Sequence, residues 1–266
     1  MKKKILLLTL LFGVLLFYSC NKKNEGAGSQ DGESLGFEYA TVSGIVNPGF
    51  ALVVNTGFYT LAGADDGEES TKMKWAASLS LGQDVMTGNT RRLTLDSNNR
   101  VYNVIEVRND NGTEGYALAS QVVPGGRLAV VVDERANLFR TPRTVDVSGT
   151  ILSHKTVVVF YPETENNGFV EVRGYDRPRD RFIDSSLCHV RLSSLSRRIS
   201  DIQSAILMQT AMTLPADQTV RRAALLQSAL DDYADSVFIE EIYELAYPGS
   251  TGAAGAAGAT GAAEDF

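Results

Sequence analysis

Glu114-Gly115-Tyr116-Ala117-Leu118-Ala119-Ser120-Gln121-Val122-Val123 is the stretch on which the fold turns. A glycine leads into an aromatic residue, and apolar and small positions then follow to a pair of valines. A similar order closes a second stretch, Arg181-Phe182-Ile183-Asp184-Ser185-Ser186-Leu187-Cys188-His189-Val190. What precedes the two also corresponds. Before the first come Thr56–Leu61, Leu79–Val85 and Val101–Val107. Before the second come Ala136–Pro142, Gly149–Val157 and Gly168–Val172. The chain therefore repeats one unit of short strands.

Working outward, residues 39–194 are all-β in character. Runs rich in Val, Ile, Tyr, Phe and Thr (Ala40–Val46, Leu52–Val54, Leu128–Val132 and Thr156–Tyr161 among them) are separated by Gly, Asn, Asp and Pro. Asn109-Asp110-Asn111-Gly112 and Glu165-Asn166-Asn167-Gly168 are turn signals, because Asn and Gly tolerate positive φ, and each predicts a hairpin tip. The order resembles the bacterial SH3-like domain. Asn137, Arg140 and Pro142 match that family's opening segment, and Glu114 to Val122 matches its closing strand with Tyr116 in place of Trp. The resemblance covers residues 38–125 and 126–194. The first unit is longer, with an acidic loop inserted at 63–70, and it lacks the Arg and Pro of the opening segment. The resemblance implies a mainly β fold, with two SH3-like small barrels in tandem followed by a C-terminal α-helical segment over 195–247.

In that last segment the period changes. Leu195, Ile199, Ile202 and Ile206 fall on one helix face, with Ser193 or Ser194 as the expected cap. Leu214-Pro215 breaks the helix. A second helix begins near Ala216, with Leu226, Leu230, Tyr233 and Val237 on one face, and Phe238, Ile242 and Leu245 extend the stripe. The helices are expected to pack on each other or to close off the second barrel. Residues 248–266 carry Gly at 249, 252, 255, 258 and 261 without proline among the repeats, so they read as a disordered tail, not a collagen helix.

The other end carries an address. Lys2, Lys3 and Lys4 precede an apolar run from Ile5 to Tyr18, then Ser19 and Cys20. That run falls short of the roughly 20 apolar residues a spanning helix needs. It resembles a bacterial lipoprotein signal over residues 1–19 with a relaxed, spirochaetal-type lipobox, since Phe17 and Tyr18 replace its usual residues. The resemblance implies cleavage before Cys20 and acylation, including palmitate, of that cysteine. Residues 20–37 then form the acylated Cys and a flexible tether, with a reach of roughly 20–25 Å. The expected location is the cell envelope, lipid-anchored to the inner or outer membrane and facing the periplasm or the cell surface.

Composition removes several functions. The chain has 25 Lys+Arg against 32 Asp+Glu, and loss of the signal's three lysines leaves a still more acidic chain, poorly suited to nucleic acid. Cys20 is committed to lipid, so Cys188 has no disulfide partner. Cys188 and His189 are neighbours on a predicted strand, which puts their side chains on opposite faces. With His154 they form neither a convincing nucleophile–base pair nor a zinc pattern. The expectation is no catalytic residue, no metal and no cofactor.

Recognition is the stronger reading. Tyr59, Trp75 and Tyr175 are the aromatics expected to be exposed on barrel grooves, while Arg173, Arg177 and Arg179 cluster around Tyr175 and can grip carboxylate or phosphate. Asp176, Asp180 and Asp184 are interspersed and can neutralise that surface. The chain is expected to be a non-catalytic envelope binding module for peptidoglycan or an envelope protein. The alternatives are a structural or assembly lipoprotein whose helices dock a protein partner and, third, a cell-wall hydrolase.

Overall fold

Val157-Val158-Val159-Phe160 is buried at every position, although strand side chains alternate between two faces. Both faces of this strand must therefore be covered, and the way they are covered organises the molecule. The computed structural model describes residues 45–62, 71–95, 97–176, 181–183 and 188–249. The expected signal, Cys20 and its tether, the acidic loop 63–70, Arg177 and Arg179, and the Gly/Ala tail from residue 250 lie outside these. The described residues fall in one compact unit. They are mainly β, with two sheets and a C-terminal helical segment.

The first sheet comprises β1 (Asn47–Ala51), β2 (Thr56–Leu61), β3 (Lys72–Leu79), β4 (Asp84–Leu95), β5 (Arg100–Arg108), β6 (Glu114–Leu118) and β7 (Val122–Pro124), in the order β3-β2-β6-β5-β4-β1-β7. β3 also pairs with β4, in parallel, at Lys72↔Thr94 and Met73↔Leu95, so the five strands from β3 to β4 form a closed ring. Phe58, Val107 and Ala117 fill one part of its core, and Met73, Val104 and Tyr116 fill another.

The second sheet comprises β8 (Arg127–Val131), β9 (Arg135–Phe139), β10 (Val147–Ser153), β11 (Val157–Asn166), β12 (Phe169–Asp176), β13 (Arg181–Phe182), β14 (His189–Arg191) and β15 (Leu195–Ser196). Its order is β10-β9-β14-β12-β11-β8-β15, with β13 beside β12. Both Asn/Gly turns stand at hairpin tips as the residues required, between β5 and β6 and between β11 and β12. In the second, Asn167 and Gly168 have φ of 52° and 76°, the left-handed values a two-residue hairpin loop needs.

Three helices follow: α1 (Ile199–Thr213), α2 (Thr219–Asp232) and α3 (Ile239–Ala246). α1 starts later than its apolar spacing suggested. Leu195 belongs to β15, where it pairs with Val131, and Ile199 is exposed. Arg198, not Ser193 or Ser194, occupies the cap position, without a side-chain capping bond. The face that α1 buries runs through Ile202, Ala205, Met208 and Ala211. Beyond α1, Leu226 of α2, Phe238 at the cap of α3 and Ile242 of α3 are buried as expected, whereas Val237, between α2 and α3, and Leu245 of α3 face solvent.

These helices explain the two-sided strand. Val158 and Phe160 point into the second sheet's own core with Ala129, Leu138 and Val170. Val157 and Val159 point the other way, into a cluster with Val130, Met208, Ala211, Phe238 and Ile242. Val123 of β7, Leu52 from the β1–β2 turn and Leu81 from the β3–β4 turn enter that same cluster. The helices therefore do more than pair or cap one sheet. They complete a core shared by both sheets, which we call the seam.

Two buried carboxylates hold irregular backbone. Glu106, 1% exposed, lies with Oε1 2.7 Å from Arg91 Nε, and its Oε2 accepts the Asn89 amide at 3.0 Å. It stands beside the irregularity between Thr87 and Thr90 in the β4–β5 ladder. Asp201 is fully buried. It accepts the Ser196 hydroxyl at 2.5 Å and the Val237 amide at 2.8 Å, tying the start of α1 to the α2–α3 connection.

Candidate functional site: a cleft at the seam

A cleft of about 360 Å³ opens where the three parts meet. Leu52, Val53 and Val54, from the turn between β1 and β2, form one wall. Ser153–Val157, the turn joining β10 to β11, form another together with Tyr175 of β12. The last turns of α1 supply Met208, Gln209, Met212 and Thr213. The volume lies in the range of small-ligand sites. Met208 is buried and Met212 is 59% exposed, so the two place unbranched, adaptable side chains at the floor and the mouth.

The β10–β11 turn is held under constraint. Lys155 has φ of 66°, a left-handed value uncommon for a lysine. Three bonds fix it there: its amide donates to Val131 O at 2.8 Å, its carbonyl accepts from Gln209 Nε2 at 2.6 Å, and its ammonium donates to Glu241 on α3. His154 joins the same carboxylate, with Nε2 2.9 Å from Glu241 Oε1, and its ring meets Phe238 edge-on at 5.2 Å. His154 Nδ1 is buried without a partner among the described residues. Burial pushes the Glu241 carboxyl up, but the bonds from Lys155 and His154 outweigh it and hold the group below its ordinary range.

Most of the cleft's polar groups are thus already engaged. The Thr156 hydroxyl donates to Ser153 O and the Thr213 hydroxyl to Gln209 O. What the walls offer a ligand is chiefly valine, leucine, methionine and tyrosine surface, suited to enclosing an apolar group.

The sequence-nominated residues divide between places. Tyr175 lines the cleft and packs edge-on against Phe182 at 5.5 Å. Arg173, two residues earlier on β12, pairs with Glu171 at 2.9 Å, so its charge is answered within the strand. Tyr59 and Trp75 face each other across β2 and β3 and do not line the cleft. Tyr59 is half-buried, with burial and then Tyr102 pushing its hydroxyl up, whereas Trp75 is 63% exposed.

Cys188 and His189 differ from the strand reading. Cys188 precedes the first residue of β14, so strand alternation does not govern it, and its Sγ lies 3.8 Å from His189 Nδ1. Burial first, then Glu171, pushes its thiol up, which favours the protonated form over the thiolate that nucleophilic attack requires. No group of three or more His, Cys, Asp or Glu placed to hold a metal ion occurs among the described residues.

The sequence reading missed Met208, Met212, Gln209 and the pairing of His154 and Lys155 with Glu241. The two methionines are four residues apart and mark a helix face, a signal that was legible. The contact of residues 154 and 155 with residue 241 leaves no local trace.

No protein-family model matches the chain, and no curated protein matches it. Among solved structures it is similar to NlpC2 from Trichomonas vaginalis, at 11% identity and a TM-score of 0.20, covering 68% of this chain and 55% of that one. The chain thus spans little more than half the length of that protein.

Proposed function

We propose that the chain is a non-catalytic binding module of the cell envelope, two SH3-like barrels and a helical segment anchored through lipid on Cys20, with the seam cleft as its ligand seat. One observation carries the reading: the cleft has largely apolar walls, and most of its polar side chains are bonded within the protein. Such a site can enclose an apolar side chain of a wall peptide or an envelope protein. The ring of five strands in the first sheet supports the barrel part of the reading. The assembly alternative, with helices docking a partner, loses much of its basis. Leu226, Phe238 and Ile242, the core of the expected stripe, are buried in the seam.

The chain from Asn21 onward, mixed with purified sacculi and sedimented, should enter the pellet. Met212→Glu, at the exposed mouth, should weaken that association by about ten-fold by placing a charge against apolar ligand surface. Retention in the supernatant, together with capture of a defined envelope protein, would move the ligand from wall to protein. Cys20→Ser should end lipid labelling and release the protein from membranes.

A further inference from the structure

We propose that Arg191 and Arg197 form a second ligand site, specific for an oxyanion of the carboxylate or phosphate type. They line an open pocket of about 600 Å³ bounded by the Asn167-Gly168 turn, the Leu192–Ser193 segment and Thr144. Among the described residues no Asp or Glu lines it, although acidic residues outnumber basic ones in the chain. Arg91, Arg108, Arg173 and Arg198 each lie within ion-pair distance of a carboxylate. Among the described residues, neither Arg191 nor Arg197 has an acidic partner, so two guanidinium charges share one pocket uncompensated.

The pocket is also braced. The Arg191 guanidinium lies over the Phe169 ring, 6.0 Å from its centre. Phe169 is buried and held edge-on by Phe139 at 4.9 Å. Phe169 and Arg191 are register partners in the β12–β14 ladder, and the Leu192 amide donates to Gly168 O at 2.8 Å. The hairpin tip and the arginine are thereby fixed to one another, which lowers the entropy lost when an anion is gripped. The side chains of Asn167, Ser193 and Thr144 offer further donors at the rim. A planar fork of N–H donors matches carboxylate and phosphate alike. The reading does not depend on the seam cleft: a null titration here leaves sacculus binding untouched, and the converse holds.

The test uses the full chain and three probes: acetyl-alanyl-alanine with a free C-terminal carboxylate, the same dipeptide as its C-terminal amide, and inorganic phosphate. Backbone amide shifts of Asn167, Gly168 and Ser193 report binding. The expected result is that the acid or phosphate shifts these amides, the amide does not, and Arg191→Ala or Arg197→Ala each weakens binding by about ten-fold. Arg191→Lys should recover only part of it, because the ammonium lacks the fork. Preference for the dipeptide acid would identify a peptide terminus as the source, and preference for phosphate a phosphate-bearing envelope component. Far-ultraviolet circular dichroism and a thermal melt establish that the variants fold, and Arg197, outside the β-ladder, gives a second reading independent of Arg191. Absence of shifts with both anions, equal binding of the amide, or unchanged binding in folded Arg191→Ala and Arg197→Ala would overturn the proposal.

Discussion

Glu241, near the start of the last helix, accepts from His154 Nε2 at 2.9 Å, a contact spanning 87 residues of sequence. Lys155 donates to the other oxygen of the same carboxylate. One side chain thus fastens α3 to the turn that forms a wall of the cleft.

This contact should make stability depend on pH. The folded-state carboxyl titrates below its ordinary value of 4.5, so its contribution is complete above that value and fades as pH falls through the lower, folded value. Glu241→Gln should cost less than about 1 kcal/mol at neutral pH, because the side chain is partly exposed. The gap between wild type and variant should narrow as pH falls below the ordinary value of 4.5. Urea denaturation at pH 7 and pH 3.5 measures both.

Asp201→Ala should be far more costly. It strips the Ser196 hydroxyl and the Val237 amide of their acceptor inside the protein. A loss of about 2–4 kcal/mol is expected, seen as a lower denaturation midpoint. A loss below about 0.5 kcal/mol would mean that the α1 tie is not a structural support.

Gly88→Ala probes the other buried carboxylate. A Cβ at Gly88 would stand 2.7 Å from Glu106 Oε2. The crowding should cost about 1–3 kcal/mol. Glu106→Gln keeps the shape and removes the charge facing Arg91, so comparing the two variants by thermal melting separates crowding from electrostatics.

Cys188 should be a slow thiol. It is buried and its pKa is raised by that burial. Iodoacetamide at pH 8 should modify it at least about ten-fold more slowly in the folded chain than in urea. Peptide mass mapping distinguishes it from Cys20.

How much of this could be read in the residues depends on the range of the interaction responsible. The tips at Asn109–Gly112 and Asn167-Gly168 were legible because backbone preference at those residues suffices. The run Thr156–Tyr161 reads as a strand from its own residues, but what covers its two faces is set by elements distant in the chain. Leu195 fits a helical period with Ile199, but its actual partner, Val131, lies far back in the chain and makes it a strand residue. Trp75 is exposed, but nothing nearby in sequence tells that it stands away from the cleft. The burial of Glu106 and Asp201 was invisible, since each is made tolerable by partners that only the fold brings close.

The seam also bears on how this protein can be cut and recombined. Leu52 and Val123, Val130 and Val159, and Phe238 and Ile242 come from three successive stretches of chain yet share one interior. A fragment ending after β7, or one beginning at β8 and stopping before α1, would carry away half of a matched surface and leave it wet. The repeat that looks like two interchangeable cassettes is therefore not modular in practice. An engineer who wants either half alone must first redesign the surface it would leave behind.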